Sequence, residues 1–329
     1  MRTSLRALPV LAAAVLLIAG CSASPNAREG SDSDGAAPEE LVFGLVPTDN
    51  SQDLEASTQA LANAIEESTG IPVEIQVVSS NAGLIEAQVA ERVDIATYGP
   101  FAYYLAADVA DITPIGMDQL SPDPESSVVF SYAVAPAGTD ITSLEDLGGR
   151  DICFTDPGST TGYLAGAAGL VEAGIDPETD VNAIFTGAHD VAVTQMLAGD
   201  CDVAFTASTF IDLLFPASGL IEEGETEVVW KSPGIAGTAQ TVGNWLPEEV
   251  RSQIAQALTG YNAVTAAEAG FCEGEEQPAP DNWGPDYAGQ DSCRWSGTGA
   301  FAYAPADASD YDFINDICAA TQAEVCRAE

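Results

Sequence analysis

From residue 41 onward the chain alternates short apolar runs of strand length with segments of helical periodicity, and this alternation limits the fold more than any other feature. Residues 41–46 form a run of buried-strand type, followed by a turn at 47–51 and a helix over 53–68 with Leu54, Leu61 and Ile65 on one face. Val73, Ile75 and Val77 alternate with Glu74 and Gln76, the pattern of a strand with one face in water. A helix is expected over 81–92, then a strand over 93–98 that stops at Gly99-Pro100. Further strands are expected at 128–135, 151–154, 181–186, 201–205 and 227–232, and a helix at 247–261. Strands separated by helices predict an α/β fold with mainly parallel sheets. The body beyond residue 40 is long enough for two lobes.

The first 21 residues read as an export leader. Arg2 and Arg6 precede an apolar stretch over 8–19 that is too short to span a bilayer, and Ile18-Ala-Gly-Cys21 sets a cysteine directly after small residues. That ending resembles a bacterial lipobox, which implies lipidation of Cys21 and anchorage to the outer face of the cell membrane. Residues 22–40, rich in Ser, Asp, Gly, Ala, Pro and Glu, are expected to form a flexible tether. Without Cys21, the seven cysteines leave an even six, and outside the cytoplasm an even set predicts disulfides. Six cysteines allow many connectivities. Proximity in sequence pairs Cys272 with Cys293 and Cys318 with Cys326, leaving Cys153 with Cys201. With no CxxC spacing and a single histidine, no metal site and no cofactor are expected.

Nine basic and 51 acidic residues give a formal charge of −42; without Arg2 and Arg6 of the leader the chain carries 7 − 51 = −44. Lys231 is its only lysine. Such a surface argues against nucleic acid or anionic lipid as a partner. It also repels dissolved anions at long range, so any anion site must work through local neutral donors.

The segment Asp156-Pro-Gly-Ser-Thr-Thr-Gly-Tyr163 has the makings of such a site. It follows a strand-like run (Ile152, Phe154) and places three consecutive hydroxyls between Gly158 and Gly162, where a helix would begin. The first turn of a helix has unpaired N–H groups and the positive end of the helix dipole. A simple N-cap needs one hydroxyl, and three favour binding. Tyr98-Gly-Pro and Gly187-Ala-His-Asp190 likewise close apparent strands, where open α/β sheets place ligands. His189 is the only histidine. A lone histidine is more often a surface or capping residue, but its place in a strand–Gly–x–His–Asp turn favours the site.

In their order and spacing, Ile85-Glu-Ala87, Val93-Asp-Ile-Ala-Thr-Tyr-Gly-Pro100, Ser143-Leu-Glu-Asp-Leu-Gly-Gly149, Phe154-Thr-Asp-Pro-Gly-Ser-Thr-Thr-Gly162, Thr186-Gly-Ala-His-Asp190 and Gly199-Asp-Cys-Asp-Val-Ala204 resemble the phosphate/phosphite/phosphonate-type solute-binding proteins of ABC importers. The resemblance spans residues 41–270. It implies a two-lobed periplasmic-binding-protein fold of type II with a two-strand hinge. Lobe I would comprise 41–133 and 236–329, with a disulfide-tied loop towards its end, and lobe II 134–235. It also implies ligand contacts from Tyr98, Ser159, Thr160, Thr161 and His189. The chain departs from the family at Asn81, where a second ligand tyrosine is usual. It departs again at Thr209 and Thr238, where members that bind aminoalkylphosphonates set carboxylates against the ammonium group. Threonine offers no charge to a desolvated cation. The expected ligand is therefore phosphite, phosphate or a short alkylphosphonate without an amine, with Asn81, Thr209 and Thr238 as candidate specificity positions.

The implied protein is an exported, monomeric binding lipoprotein that passes its ligand to a membrane permease; it is not an enzyme. Two readings compete. A binding or sensing component for an unrelated small molecule fits the same pattern. A serine-type hydrolase using Ser159, His189 and Asp190 is disfavoured, because there is no G-x-S-x-G elbow and Asp190 directly follows the ring it would have to orient.

Overall fold

The strand–helix alternation folds into two sheets that exchange strands through a short crossing. The computed structural model describes residues 37–46, 54–272, 274, 276–295 and 299–326. The leader, Cys21, most of the tether and the turn expected at 47–51 lie outside them.

The first sheet has the order β15 (Ala302–Ala304), β4 (Ile112–Gln119), β12 (Ala239–Gly243), β3 (Ile95–Tyr98), β1 (Leu41–Leu45), β2 (Val73–Val77). Helices α1 (Leu54–Thr69), α2 (Asn81–Val89), α3 (Pro100–Val109), α7 (Glu248–Gly260) and α8 (Ala263–Glu268) belong to the same stretches of chain. The second sheet runs β10 (Thr226–Lys231), β6 (Ser131–Pro136), β9 (Val203–Ala207), β7 (Asp151–Phe154), β8 (Asn182–Phe185). Its helices are α4 (Ala165–Glu172), α5 (His189–Ala198) and α6 (Phe215–Ser218). Period-two alternation decides which side chain joins which core. Ile152, Phe154, Val203 and Phe205 pack on one face of the second sheet, and Cys153 and Ala204 on the other.

Both sheets are mixed, which corrects the expectation of mainly parallel pairing. β1 is parallel to β2 and β3, and β7 to β8 and β9, but β12 and β6 each run antiparallel to both neighbours. The reason is the route of the chain. β6 and β12 enter their sheets from the crossing, so they run away from the edge at which β3 and β7 end. The single strand expected at 128–135 splits for the same reason. β5 (Val128–Val129) pairs antiparallel with β11 (Ile235–Ala236), and only beyond Phe130 does the chain join the second sheet. This pair is the hinge.

The C-terminal region closes the structure. A hairpin of β13 (Gln277–Pro278) and β14 (Asp291–Ser292) carries the buried Trp283 and Trp295 nearby. Helix α9 (Phe313–Thr321) puts Ile314 into the apolar cluster built around Phe154, Leu164 and Leu170, together with Phe101 of α3. Three disulfides are present: Cys153–Cys201, Cys272–Cys293 and Cys318–Cys326, with Cα–Cα separations of 5.8, 5.2 and 5.5 Å.

Loop-closure entropy ranks these bridges. Cys153–Cys201 spans 48 residues and Cys318–Cys326 spans 8, so removal of the first should cost about 4 kcal/mol and of the second about 2.5 kcal/mol. Urea denaturation of the two paired Cys→Ser variants should show that order.

Candidate functional site

Between the two sheets lies a cavity of about 240 Å³ at which four elements begin. Asn81 opens α2 behind the cap Ser80, and Pro100 opens α3 behind Gly99. Thr160 starts a π-helical turn, Thr160–Leu164, that runs on into α4, and His189 starts α5. All four starts line the cavity. A helix start carries a partial positive charge of roughly half a unit, although Pro100 has no N–H to give and the Gly83, Phe101 and Gly162 N–H groups are already accepted by Ser80, Thr160 and Ser159. Lys and Arg are absent from the described residues that line it, whereas Asp118 and Asp156 are present.

The hydroxyl segment is held by backbone donors. Ser159 caps the turn, its Oγ accepting the Gly162 N–H at 3.0 Å. Thr160 is buried, and its Oγ1 accepts the Phe101 N–H at 2.8 Å, from the first turn of α3 on the opposite side of the cleft. A hydroxyl whose lone pair is engaged in this way still has its hydrogen to give. The Thr161 carbonyl accepts from Ser131 Oγ at 2.6 Å, tying the segment to the first residue beyond the hinge. Gly162 is dictated by closeness rather than by a turn: a Cβ there would lie 1.9 Å from Thr155 Oγ1. Neither Gly158 nor Gly162 has positive φ.

His189 follows the same pattern. Its Nδ1 lies 2.9 Å from Thr206 Oγ1 and accepts the Ala207 N–H at 3.4 Å, which assigns the ring proton to Nε2. The ring stacks on Phe210, with centroids 4.3 Å apart. Burial of the ring pushes its pKa down to about 3, so it is neutral at physiological pH and a donor through Nε2.

Of the residues singled out in the sequence, Asn81, Ser159, Thr160, Thr161, His189, Thr209 and Thr238 come together on the cavity wall. Tyr98 does not line it. Its ring sits in the apolar cluster with Leu84, Ala102 and Tyr103, and its hydroxyl is buried without a hydrogen-bond partner among the described residues. Burial raises its pKa well above the usual phenol range. Sequence reasoning missed Thr97, Thr155 and Gln240, which do line the cavity. The signal available for Gln240 was a long amide inside Ala239–Gly243, a strand buried throughout.

A family model described as "ABC transporter, phosphonate, periplasmic substrate-binding protein" matches residues 43–275. The chain is 33% identical over 326 residues to the phosphate-import protein PhnD of Mycolicibacterium smegmatis, covering 96% of each. It is 24% identical over 233 residues to the phosphonates-binding periplasmic protein of Escherichia coli, covering 70% of this chain and 68% of that one. Among solved structures, a binding component of an ABC phosphonate transporter from Pseudomonas aeruginosa has a TM-score of 0.68 at 20% identity, over 87% of each chain. A Prochlorococcus marinus protein in complex with methylphosphonate has a TM-score of 0.63 at 16% identity, over 85% of this chain and 97% of that one. These two structural likenesses establish the fold.

The buried histidine sets a pH dependence. Unfolded, His189 takes up a proton below its ordinary 6.5, whereas the folded protein refuses it down to about 3. The unfolded state therefore binds more protons in that window, and stability falls as pH is lowered through it. At pH 5 the loss relative to pH 7 should be on the order of 2 kcal/mol. His189→Gln should remove that share of the difference in urea denaturation at the two pH values.

Proposed function

Because the chain belongs to the phosphonate-type periplasmic substrate-binding family of ABC transporters, we propose that it captures a small phosphorus oxyanion lacking an amine and delivers it to a membrane permease. The lobes are taken as 41–133 with 236–329, and 134–235. Phosphite, phosphate and short alkylphosphonates form the ligand class. The observation that carries this reading is that Ser159, Thr160 and His189 each have the acceptor side filled by protein N–H or O–H groups, leaving donors for the ligand. Their companion in the proposed site is Thr161, which lines the same wall; Tyr98, whose ring and hydroxyl are buried off that wall, has no part in it. A relative of this chain is named for phosphate import, and a structural neighbour is bound to methylphosphonate.

Energetics allow a site without a cation. Hydrogen bonds to charged groups contribute roughly 1.5–3 kcal/mol each. Four or five of them give roughly 6–15 kcal/mol gross, a range that brackets the about 8 kcal/mol that micromolar affinity requires, before association costs are subtracted. Thr209 and Thr238 supply hydroxyls at positions where an ammonium group would need carboxylates, so these two positions give aminoalkylphosphonates no opposing charge. Catalysis is not part of this reading. The inner nitrogen of His189 faces Thr206 and Ala207, so no carboxylate orients the ring for a serine nucleophile. Export, lipidation at Cys21 and a monomeric state complete the proposal.

Isothermal titration should give binding of phosphate, phosphite or methylphosphonate and none of 2-aminoethylphosphonate at the same concentrations. Thr160→Val and His189→Ala should each weaken binding tenfold or more; normal affinity in both would show that the site is misplaced. Thr160→Val also removes the contact across the cleft. The ligand-induced fall in radius of gyration expected for the native protein in solution scattering should therefore shrink in the variant.

A further inference from the structure

Strand β12 carries polar side chains on both faces, and the two faces are served differently. Away from the cavity, Thr241 Oγ1 donates to the Ala96 carbonyl at 3.2 Å and accepts from Gln88 Nε2 at 3.2 Å. On the cavity face, Gln240 is 1% exposed and stands directly opposite Thr97 of β3 in the sheet register. Thr97 Oγ1 donates to Gln240 Oε1 at 2.7 Å. Among the described residues no acceptor meets Gln240 Nε2, so the nitrogen is the polar atom left for the cavity that the side chain lines. Thr238, two residues earlier on the same face, has a buried hydroxyl with no partner among the described residues and lines the same cavity.

We propose that Gln240 is a ligand-binding residue on the first-sheet wall and that Thr97 positions it, so that Nε2 donates to an anion oxygen facing Ser159, Thr160 and His189. This rests on the reading of the cavity as a phosphorus-oxyanion site. The arrangement repeats the pattern of the opposite wall: the acceptor is occupied by the protein and the donor is left over. A cross-strand pair serving only the sheet would not need a long amide, since two small hydroxyls or a Thr–Val pair fill such a register position. An amide N–H that has no protein acceptor and opens into the cavity is a donor available to whatever occupies it, and a charged oxygen is its strongest acceptor. With Oε1 taken by Thr97, Gln240 has no good acceptor to offer a cation. It thereby adds to the discrimination against ammonium-bearing ligands assigned to Thr209 and Thr238.

The test is isothermal titration of inorganic phosphate, methylphosphonate and 2-aminoethylphosphonate into the wild type and the variants Gln240→Met, Gln240→Glu, Thr97→Val and Thr97→Ser, with a thermal melt of each. Gln240→Met, close in size, should weaken phosphate and methylphosphonate at least tenfold with little change in melting temperature. Gln240→Glu, nearly isosteric, should weaken them further, by setting a carboxylate against the anion, and should narrow the gap to 2-aminoethylphosphonate. Thr97→Val should weaken binding several-fold and Thr97→Ser should restore it, a rescue that a merely space-filling role would not require. Wild-type affinity in Gln240→Met overturns the proposal. If that variant does not fold, wild-type affinity in Gln240→Glu overturns it instead. Full affinity in Thr97→Val beside a weak Gln240→Met overturns the positioning role. A wild type that binds none of the three ligands sinks the oxyanion reading and this proposal with it, whereas a wild type that binds, beside insensitive variants, sinks this proposal alone.

Discussion

The bond from the Phe101 N–H to Thr160 Oγ1, at 2.8 Å across the cleft, is the contact on which the arrangement of the site depends. It joins the first turn of α3 to the hydroxyl segment that follows β7, and it brings the ring of Phe101 into the apolar cluster of the second sheet. It also fixes what Thr160 can do. With its lone pair engaged by an N–H, the hydroxyl is left as a donor directed by geometry rather than by free rotation. Ser159 and His189 are held in the same sense by Gly162, Thr206 and Ala207. Preorganised neutral donors lose little freedom when an anion arrives, which is how modest individual hydrogen bonds add up to useful affinity.

The charge of the chain makes this design necessary. A protein of formal charge −42 surrounds its ligand with a repulsive field. That field is screened over about 10 Å at ordinary salt, so only the local potential at the cavity matters once the anion is inside. Four helical starts supply that potential without a lysine or arginine. Keeping His189 neutral belongs to the same economy of charge: desolvation that would penalise an imidazolium does not penalise an Nε2–H donor.

The hinge and the site share atoms. Ser131, the first residue of β6 beyond the hinge, holds the Thr161 carbonyl through its hydroxyl, and its own N–H is accepted by Ser232 Oγ on the returning strand. The hydroxyl segment is therefore joined to the hinge region through two short bonds. On the far side, α9 packs beside α4 and is tied by Cys318–Cys326, while its Asn315 Oδ1 accepts from Tyr104 of α3.

The α/β class, the strand ends at residues 98 and 154, the two short-range disulfides and the hydroxyl segment could be read in the sequence, because each depends on local periodicity or on a short span of chain. Cys153–Cys201, 48 residues apart, followed only as the pair left over, and the strand expected to end at 186 ends at Phe185. Strand direction could not be read. It depends on the side from which β6 and β12 re-enter their sheets, and no local pattern records that. The fate of Tyr98 and Thr97 shows the limit most sharply. Period two says that they point to opposite faces, but only packing decides which face meets the cleft, and it is the face of Thr97. Gln240 reads in sequence as a polar residue misplaced in a buried strand, and its meaning appears when the register sets it against Thr97. The sequence by itself determined that this chain would be an acidic α/β protein with a hydroxyl-rich helix start and few cations. Only the tertiary structure decided which donors face one another, because that depends on contacts between residues scores of positions apart, such as Phe101 with Thr160 and Thr97 with Gln240.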